Sequence, residues 1–394
     1  MVNIEQGLAA LEAVLGKPTQ EIPLHQPYFV GNEWEYVKSC LDSGWVSSVG
    51  EFVNRFEQRI VEYTGVPYAV AVVNGTAALH MSLILAEVKQ HDEVLLPALT
   101  FIATANAVAY CGAIPHFVDS DPTNLGLDVE KLRDYLKTHT VIKDNLCINK
   151  TTSRVIKAII PVHIFGHPVE MDALQALCNE YHLTIIEDAS ESLGSFYKDK
   201  HTGNFSDIAV LSFNGNKVIT TGGGGAILLK NAALAKRAKH LTTTGKRPHR
   251  WEFYHDELAY NYRLPNINAA LGCAQLEQLE QLVQKKRALA KKYVEHFQPI
   301  SFARILQETK HTKSNYWLNA LILNKANRTF IQDFIEKAHL QHYGLRGLWT
   351  PLDSLPMYLQ CPKMDLTNTY DLYDRVIALP SSAQLLKQHG GVQI

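Results

Sequence analysis

Residues 212–229 read SFNGNKVITTGGGGAILL. A short polar turn carries one lysine, Lys217, and four consecutive glycines, Gly222 to Gly225, follow it. Each glycine weakens local order by about 0.5–1 kcal/mol relative to alanine, so a run of four implies a backbone that must bend or approach a ligand closely. IAVLSF on one side and AILLK on the other are apolar and strand-like, while Ser212, Asn214 and Asn216 line the turn with short polar groups. The lysine therefore falls at the end of a strand, where open α/β sheets bind ligands.

Working outward, apolar strands alternate with helical segments from residue 68 onward. YAVAVV (68–73) is followed by helical TAALHMSLILAEV, EVLLP (93–97) by FIATANAVAYCG, and IPHFVD (114–119) by a polar helix around 128–138. VIKAIIPVHIF (155–165), the helix MDALQALCNEYH and LTIIED (183–188) continue the pattern. Strands made almost wholly of Val, Ile, Leu and Ala are buried on both faces, which predicts a largely parallel sheet covered by helices. After residue 265 the pattern changes to a long helix over 267–297, then a strand at 316–323 and a helix at 328–340. The chain thus divides into a large α/β unit (1–265, with an N-terminal helical segment) and a smaller C-terminal α/β unit (266–394). The charge cluster KKR at 285–287 reads as a solvated helix face.

Composition narrows the function. With 38 basic and 39 acidic residues the net charge is −1, so no global field gathers nucleic acid or anionic membrane. The 17 histidines are scattered without metal-ligand spacing, so no metal is expected. The six cysteines lie far apart, which fits free thiols in a reducing compartment. No apolar run spans a bilayer, and MVNIEQGLAALEAVLG lacks a basic leader; a cytoplasmic protein is expected.

Four sites lie at predicted strand ends. In VVNGTAALH, Gly75 and Thr76 open a helix whose free N–H groups suit an anion such as phosphate; plain capping by Asn74 or Thr76 is the other reading. In IIEDAS, Asp188 ends a strand buried on both faces, where a carboxylate needs a cationic partner such as a protonated pyridine nitrogen. Phe101, after EVLLP, can lie over a flat ring. Lys217 can form a Schiff base in a closed site. Anion cradle, stacking ring, ring-nitrogen acid and amine are together what pyridoxal 5′-phosphate (PLP) requires. A Rossmann oxidoreductase is disfavoured, because no GxGxxG follows the first strand.

The blocks NGTAALH, GAIPHFVDSD, IIEDASESLGS, LSFNGNKVITTGGGGAIL, LAYNYRLPNINAALGCAQLEQL and LPSS, spread over residues 25–382, resemble the fold type I PLP-dependent sugar aminotransferases of the DegT/StrS family. The resemblance implies Lys217 as the Schiff-base lysine, Asp188 as the pyridinium partner, and Thr76, Ala77 and Ser212 as phosphate ligands. It also implies Phe101 as the stacking ring and His163, at a strand end, as a substrate contact. Glu191 stands where many members have glutamine near the ring hydroxyl. Family members are homodimers, which implies that segment 245–263 reaches a neighbouring subunit, with Asn261 meeting phosphate and Lys246, Arg247 and Arg250 meeting a nucleotide's diphosphate. Finer wording is similar to the bacillosamine and legionaminic acid branch. That likeness implies transfer of an amino group from L-glutamate to C4 of a UDP-linked 2-acetamido-2,6-dideoxy-4-ketohexose. A GDP- or TDP-linked keto-sugar, or a non-catalytic relative, is the alternative.

Overall fold

The computed structural model describes residues 3–386. Its main sheet runs in the order Tyr68–Val72, Gly225–Leu229, Ile208–Ser212, Thr184–Asp188, Val155–Ile159, Glu93–Pro97, Ile114–Val118. The last five pair in parallel, and Gly225–Leu229 lies antiparallel to both its neighbours. A hairpin, Thr140–Lys143 with Leu146–Asn149, pairs onto the start of Val155–Ile159. The sheet is therefore mixed, with a parallel majority. The strand residues are buried almost throughout, as apolar runs covered on both faces must be.

Helices start where the sequence provides caps. The side chains of Asn74, Asp128, Asn231 and Asn327 each accept from a first-turn N–H, satisfying donors that would otherwise be orphaned. The apolar run 155–165 is not one strand. It stops at Ile159, and the chain turns at Pro161, whose missing N–H suits it to a break. Phe165 then adopts a left-handed conformation, φ 56° and ψ 16°.

A second, antiparallel sheet runs Ala303–Ile305, Asn319–Leu323, Val376–Leu379, Arg346–Gly347. Helix Asn266–Phe297 joins the two units. Its first half buries Ala269 and Cys273 in the large core, and its second half buries Leu289, Tyr293 and Phe297 in a separate core with Leu321, Phe334 and Leu379. The first helix, Ile4–Leu15, places Leu8 and Leu11 in that second core. Each fully buried large apolar side chain contributes about 1.5–3 kcal/mol.

The cluster 285–287 is not a solvated face. Lys286 is fully buried and donates to the carbonyls of Trp317, at 3.1 Å, and Ser381. Arg287 forks onto both oxygens of Glu308, at 2.7 and 3.0 Å. The helix is packed between the two units, so its basic side chains find carbonyls and a carboxylate instead of water. All six cysteines are free thiols, four of them buried. No helix among the described residues is long and apolar enough to cross a membrane.

Candidate active site

A cavity of about 450 Å³ opens at the C-terminal ends of the parallel strands, between the two units. Lys217 enters it from the turn after Ile208–Ser212, and Asp188 from the end of Thr184–Asp188. The Lys217 Nζ lies 3.8 Å from Glu191 Oε1 and 3.9 Å from the centre of the Trp317 ring. Burial pushes the Lys217 amine below its ordinary value, against the upward pull of Glu191 and Asp188. The sign favours a neutral amine that can act as nucleophile and base.

Glu191 is equally constrained. Its Oε2 accepts the N–H of Phe165 at 2.8 Å, a bond aimed by that residue's left-handed backbone. Burial raises its carboxyl to about 7, partly offset by Lys217 and the Phe165 N–H, with Asp188 adding to the rise.

Asp188 is buried, and its carboxylate accepts from Thr104 Oγ1 at 3.2 Å and from the Ser190 N–H at 3.1 Å. Among the described residues it forms no ion pair, so its charge is available to a cation bound in the cavity. The opposite wall is the first turn of helix Gly75–Leu85. A Cβ at residue 75 would stand 3.0 Å from Ser212 Cβ and 3.5 Å from Ser190 Oγ. Any larger residue would press on Ser212, so glycine leaves room for two serine hydroxyls beside that helix N-terminus, where an anion can sit. Phe101 lines the mouth, about half exposed. The Thr100 hydroxyl, also on the wall, is buried without a hydrogen-bond partner. An orphaned hydroxyl, an anion cradle, an unpaired carboxylate and a depressed lysine on one cavity fit PLP.

Several expected contacts lie elsewhere. The Ala77 N–H is taken by the Asn74 side chain at 2.7 Å, so Ala77 is capped and has no N–H to offer a phosphate. Asn74 caps the helix, and Gly75 and Thr76 line the cavity. His163 is fully buried, with Nε2 2.9 Å from Glu187 Oε1 and Nδ1 accepting the Val169 N–H at 3.1 Å. Both ring nitrogens are engaged in the core, so His163 is no substrate contact here. The four glycines do not line the cavity. Gly225 pairs with both Val72 and Ser212, and a Cβ there would meet the Asn74 carbonyl carbon and oxygen at 2.6 Å. The run is needed where two backbones pass, behind the cradle.

Asn261, Lys246, Arg247 and Arg250 also lie outside this cavity, on an arm that folds back on itself through the pairing of Lys246 with His255. Arg247 Nε bonds Asp256 at 2.8 Å, and Asp256 bonds His240 at 2.7 Å. His240, Asp256 and Glu257 come close enough to hold a cation, but Arg247 and Arg237 already neutralise the two carboxylates.

Trp317, Trp349 and Arg346 line the cavity without having been expected there. The tryptophans sit in apolar runs, SNYWLN and GLW, where a core position is the default. Arg346 follows a predicted helix in a stretch with no strong periodicity.

Residues 28–390 match the DegT/DnrJ/EryC1/StrS aminotransferase family. The chain is 38% identical to the GDP-perosamine synthase of Escherichia coli O157:H7 over 338 residues, which are 86% of this chain and 87% of that protein. It is 34% identical to the GDP-perosamine synthase of Vibrio cholerae over 370 residues, 91% of this chain and 94% of that one. Helicobacter pylori PseC, an aminotransferase involved in pseudoaminic acid biosynthesis, superposes with a TM-score of 0.82 at 25% identity, covering 93% of this chain and 95% of that one. A mixed sheet with its site at the strand ends, a donor set that fits PLP and a match spanning nearly the whole sequence agree: this chain belongs to the DegT/DnrJ/EryC1/StrS aminotransferase family.

Proposed function

We propose that this chain moves an amino group from L-glutamate to C4 of a nucleotide-linked 6-deoxy-4-ketohexose destined for a surface polysaccharide. The observation that carries this reading is the convergence of Lys217, Asp188 and the Gly75–Ser190–Ser212 cradle on one cavity. PLP, when bound there, supplies an aldehyde that carries the amino group and a ring that absorbs the electron pair. The protein's share is positional and protonic. With the cofactor bound, the cradle would hold its phosphate, Asp188 would keep the ring nitrogen protonated, and Phe101 would cover the ring. Lys217, whose amine burial makes easier to deprotonate, would take the α-proton of the donor and later deliver one to the sugar carbon.

The carrier nucleotide is read as GDP. Two relatives matching most of this chain bear the name GDP-perosamine synthase. That supports a GDP-linked substrate over the UDP-linked 2-acetamido sugar suggested by motif wording in PALTFIATAN and LTTTGKRPHRWEF. A homodimer is part of the same reading. The arm exposes Trp251, Phe253, Tyr254 and Leu258, an apolar group of the kind that marks a contact with another chain, and in this reading its basic residues Lys246 and Arg250 would meet a diphosphate in the partner's site.

The test is spectroscopic. Enzyme loaded with PLP is bleached at long wavelength by L-glutamate, then offered GDP- and UDP-linked 4-ketohexoses separately. Faster recovery with the GDP sugar is expected. Faster recovery with the UDP-linked 2-acetamido sugar would reverse the choice of carrier, and recovery with neither would overturn the sugar reading.

A further inference from the structure

A second cavity, of about 850 Å³, lies at the Ile114–Val118 edge of the main sheet and shares no lining residue with the one that holds Lys217. Its walls are helix Val129–His139, the turn leading into Val155–Ile159, and residues 360–365. That last stretch runs beside the edge strand. The Phe117 N–H bonds the Pro362 carbonyl at 2.9 Å, and the Met364 N–H bonds the Phe117 carbonyl at 3.0 Å. The volume falls within the range of about 300–1,000 Å³ usual for small-molecule sites.

Three basic side chains line this cavity, and two are committed. Lys131 Nζ lies 2.6 Å from buried Asp119, and Lys363 Nζ 2.9 Å from buried Asp353. Arg154 is not. Its ion pair with Glu93 spans 3.9 Å, and that carboxylate is already bonded by Thr152, by His116 at 2.8 Å and by Asn149 at 2.9 Å. Among the described residues the Arg154 side chain makes no hydrogen bond, so its planar fork of donors is open to an anion. An aromatic column stands on the helix wall. The Tyr135 hydroxyl lies 3.0 Å from His116 Nε2, and the His139 ring stacks on Tyr135 with centres 4.5 Å apart and planes 26° apart. The His139 carbonyl accepts the Lys150 N–H at 2.9 Å, which pins the end of the helix. His139 is exposed, so the face turned away from Tyr135 is free to take another flat ring. The Asp134 carboxylate, one turn earlier, has no partner among the described residues.

We propose that this edge cavity is a second small-molecule site, which takes a nucleoside monophosphate with Arg154 on the phosphate, Asp134 on the ribose hydroxyls and His139 against the base. Each of the three uncommitted groups then meets the part of the ligand its chemistry suits. A guanidinium forks onto a phosphate with two parallel hydrogen bonds. A carboxylate is a pure acceptor and needs hydroxyl donors. An aromatic face stacks on a base whatever its identity. A bare inorganic anion would engage Arg154 and leave the other two unused. Asp134 and Asp365, both lining the cavity, set it against further negative charge, which favours one phosphate over a di- or triphosphate.

The experiment uses PLP-loaded enzyme as wild type, Arg154→Gln and His139→Ala. Each is titrated by calorimetry with GMP and with ribose 5-phosphate, which lacks the base. Wild type should bind GMP at least about tenfold more tightly than ribose 5-phosphate. Arg154→Gln should weaken both ligands by about tenfold, whereas His139→Ala should weaken GMP alone. The long-wavelength absorption of PLP should stay as in wild type, because neither residue lines the Lys217 cavity. GMP lodged only in the Lys217 cavity would bind all three proteins equally. That result, in variants whose melting temperatures match wild type, would overturn the proposal, and so would a wild type that binds no GMP. Ribose 5-phosphate binding as tightly as GMP would show a phosphate site without a base and overturn the nucleotide assignment.

Discussion

Trp317 holds Lys217 from two directions: its ring centre lies 3.9 Å from the lysine Nζ, and its indole N–H donates at 2.7 Å to the carbonyl of Asn216, one residue before the lysine. One side chain from the C-terminal unit thus fixes both the turn and the amine it carries. The residue behind it, Lys286, anchors the Trp317 carbonyl from inside the core.

Trp317→Leu should slow the glutamate half-reaction by roughly tenfold, since it removes the ring that packs on the lysine amine and a hydrogen bond worth about 0.5–1.5 kcal/mol. Trp317→Phe should lose less, because the ring is kept. Lys217→Ala should lose at least about 10²–10⁴-fold, the size of a missing acid–base group. Stopped-flow absorbance with L-glutamate separates the three.

Glu191 gives a pH signature. Its folded carboxyl is raised to about 7, mainly by burial. A carboxyl raised by folding binds its proton more tightly in the native state, so stability falls as pH rises from the ordinary carboxylate range toward about 7. Glu191→Gln removes that penalty while its side-chain carbonyl can still accept from Phe165. Melting temperatures of the cofactor-free proteins should agree at pH 4.5 and diverge by pH 8, with the variant more stable by on the order of 2–3 kcal/mol. Parallel curves across this range would rule the account out.

The glycine run holds one position with room for a methyl group, Gly223; Gly222 has a φ of +80°, and a Cβ at Gly224 or Gly225 would clash. Gly225→Ala forces a Cβ to 2.6 Å from the Asn74 backbone, whereas at Gly223 the nearest atom is a carbonyl oxygen at 3.8 Å. Gly225→Ala should destabilise by about 1–3 kcal/mol and weaken PLP binding through the cradle. Gly223→Ala should stay within about 0.5 kcal/mol. Denaturant midpoints and PLP titrations check both.

Asp256→Asn should loosen the arm without touching the cavity. Asp256 is drawn down to about 2, first by Arg247 and then by His240, so it is ionised at any working pH. Its removal should speed amide exchange at Lys246 and Arg247, whose N–H groups bond the Thr243 and Tyr254 carbonyls. The clamp should also weaken in acid, as pH falls through that low value. Exchange rates at Lys217 should not change.

Most of the sheet was legible because buried strands must be apolar, and 68–72, 93–97 and 184–188 read that way from residue type alone. Lys217 and Asp188 were legible because a charged group at the end of a buried strand needs a partner, and neither has one close by in sequence. The hairpin 140–149 escaped, being short, half exposed and mixed in character. Trp317 escaped because a tryptophan beside a strand is ordinarily core. Arg346 needed tertiary knowledge, since nothing local distinguishes an arginine facing a cavity from one facing water. The same limit misplaced KKR, where burial depends on a second unit closing over the helix, and gave Ala77 an N–H that Asn74 had already taken.

The pairing of Gly225 with both Val72 and Ser212 bears on how the protein comes into being. Gly225–Leu229 is the strand that ties the first strand of the sheet to the rest, and it is made last. Contacts that join distant stretches of chain form slowly, because the intervening loop must first be closed. During synthesis the cradle near residue 75 therefore emerges long before the strand that fixes it, and the walls at Trp317 and Arg346 come later still. A ribosome-bound chain has no pocket to fill. Cofactor capture is a step for the finished polypeptide, and truncated products are excluded from it by geometry.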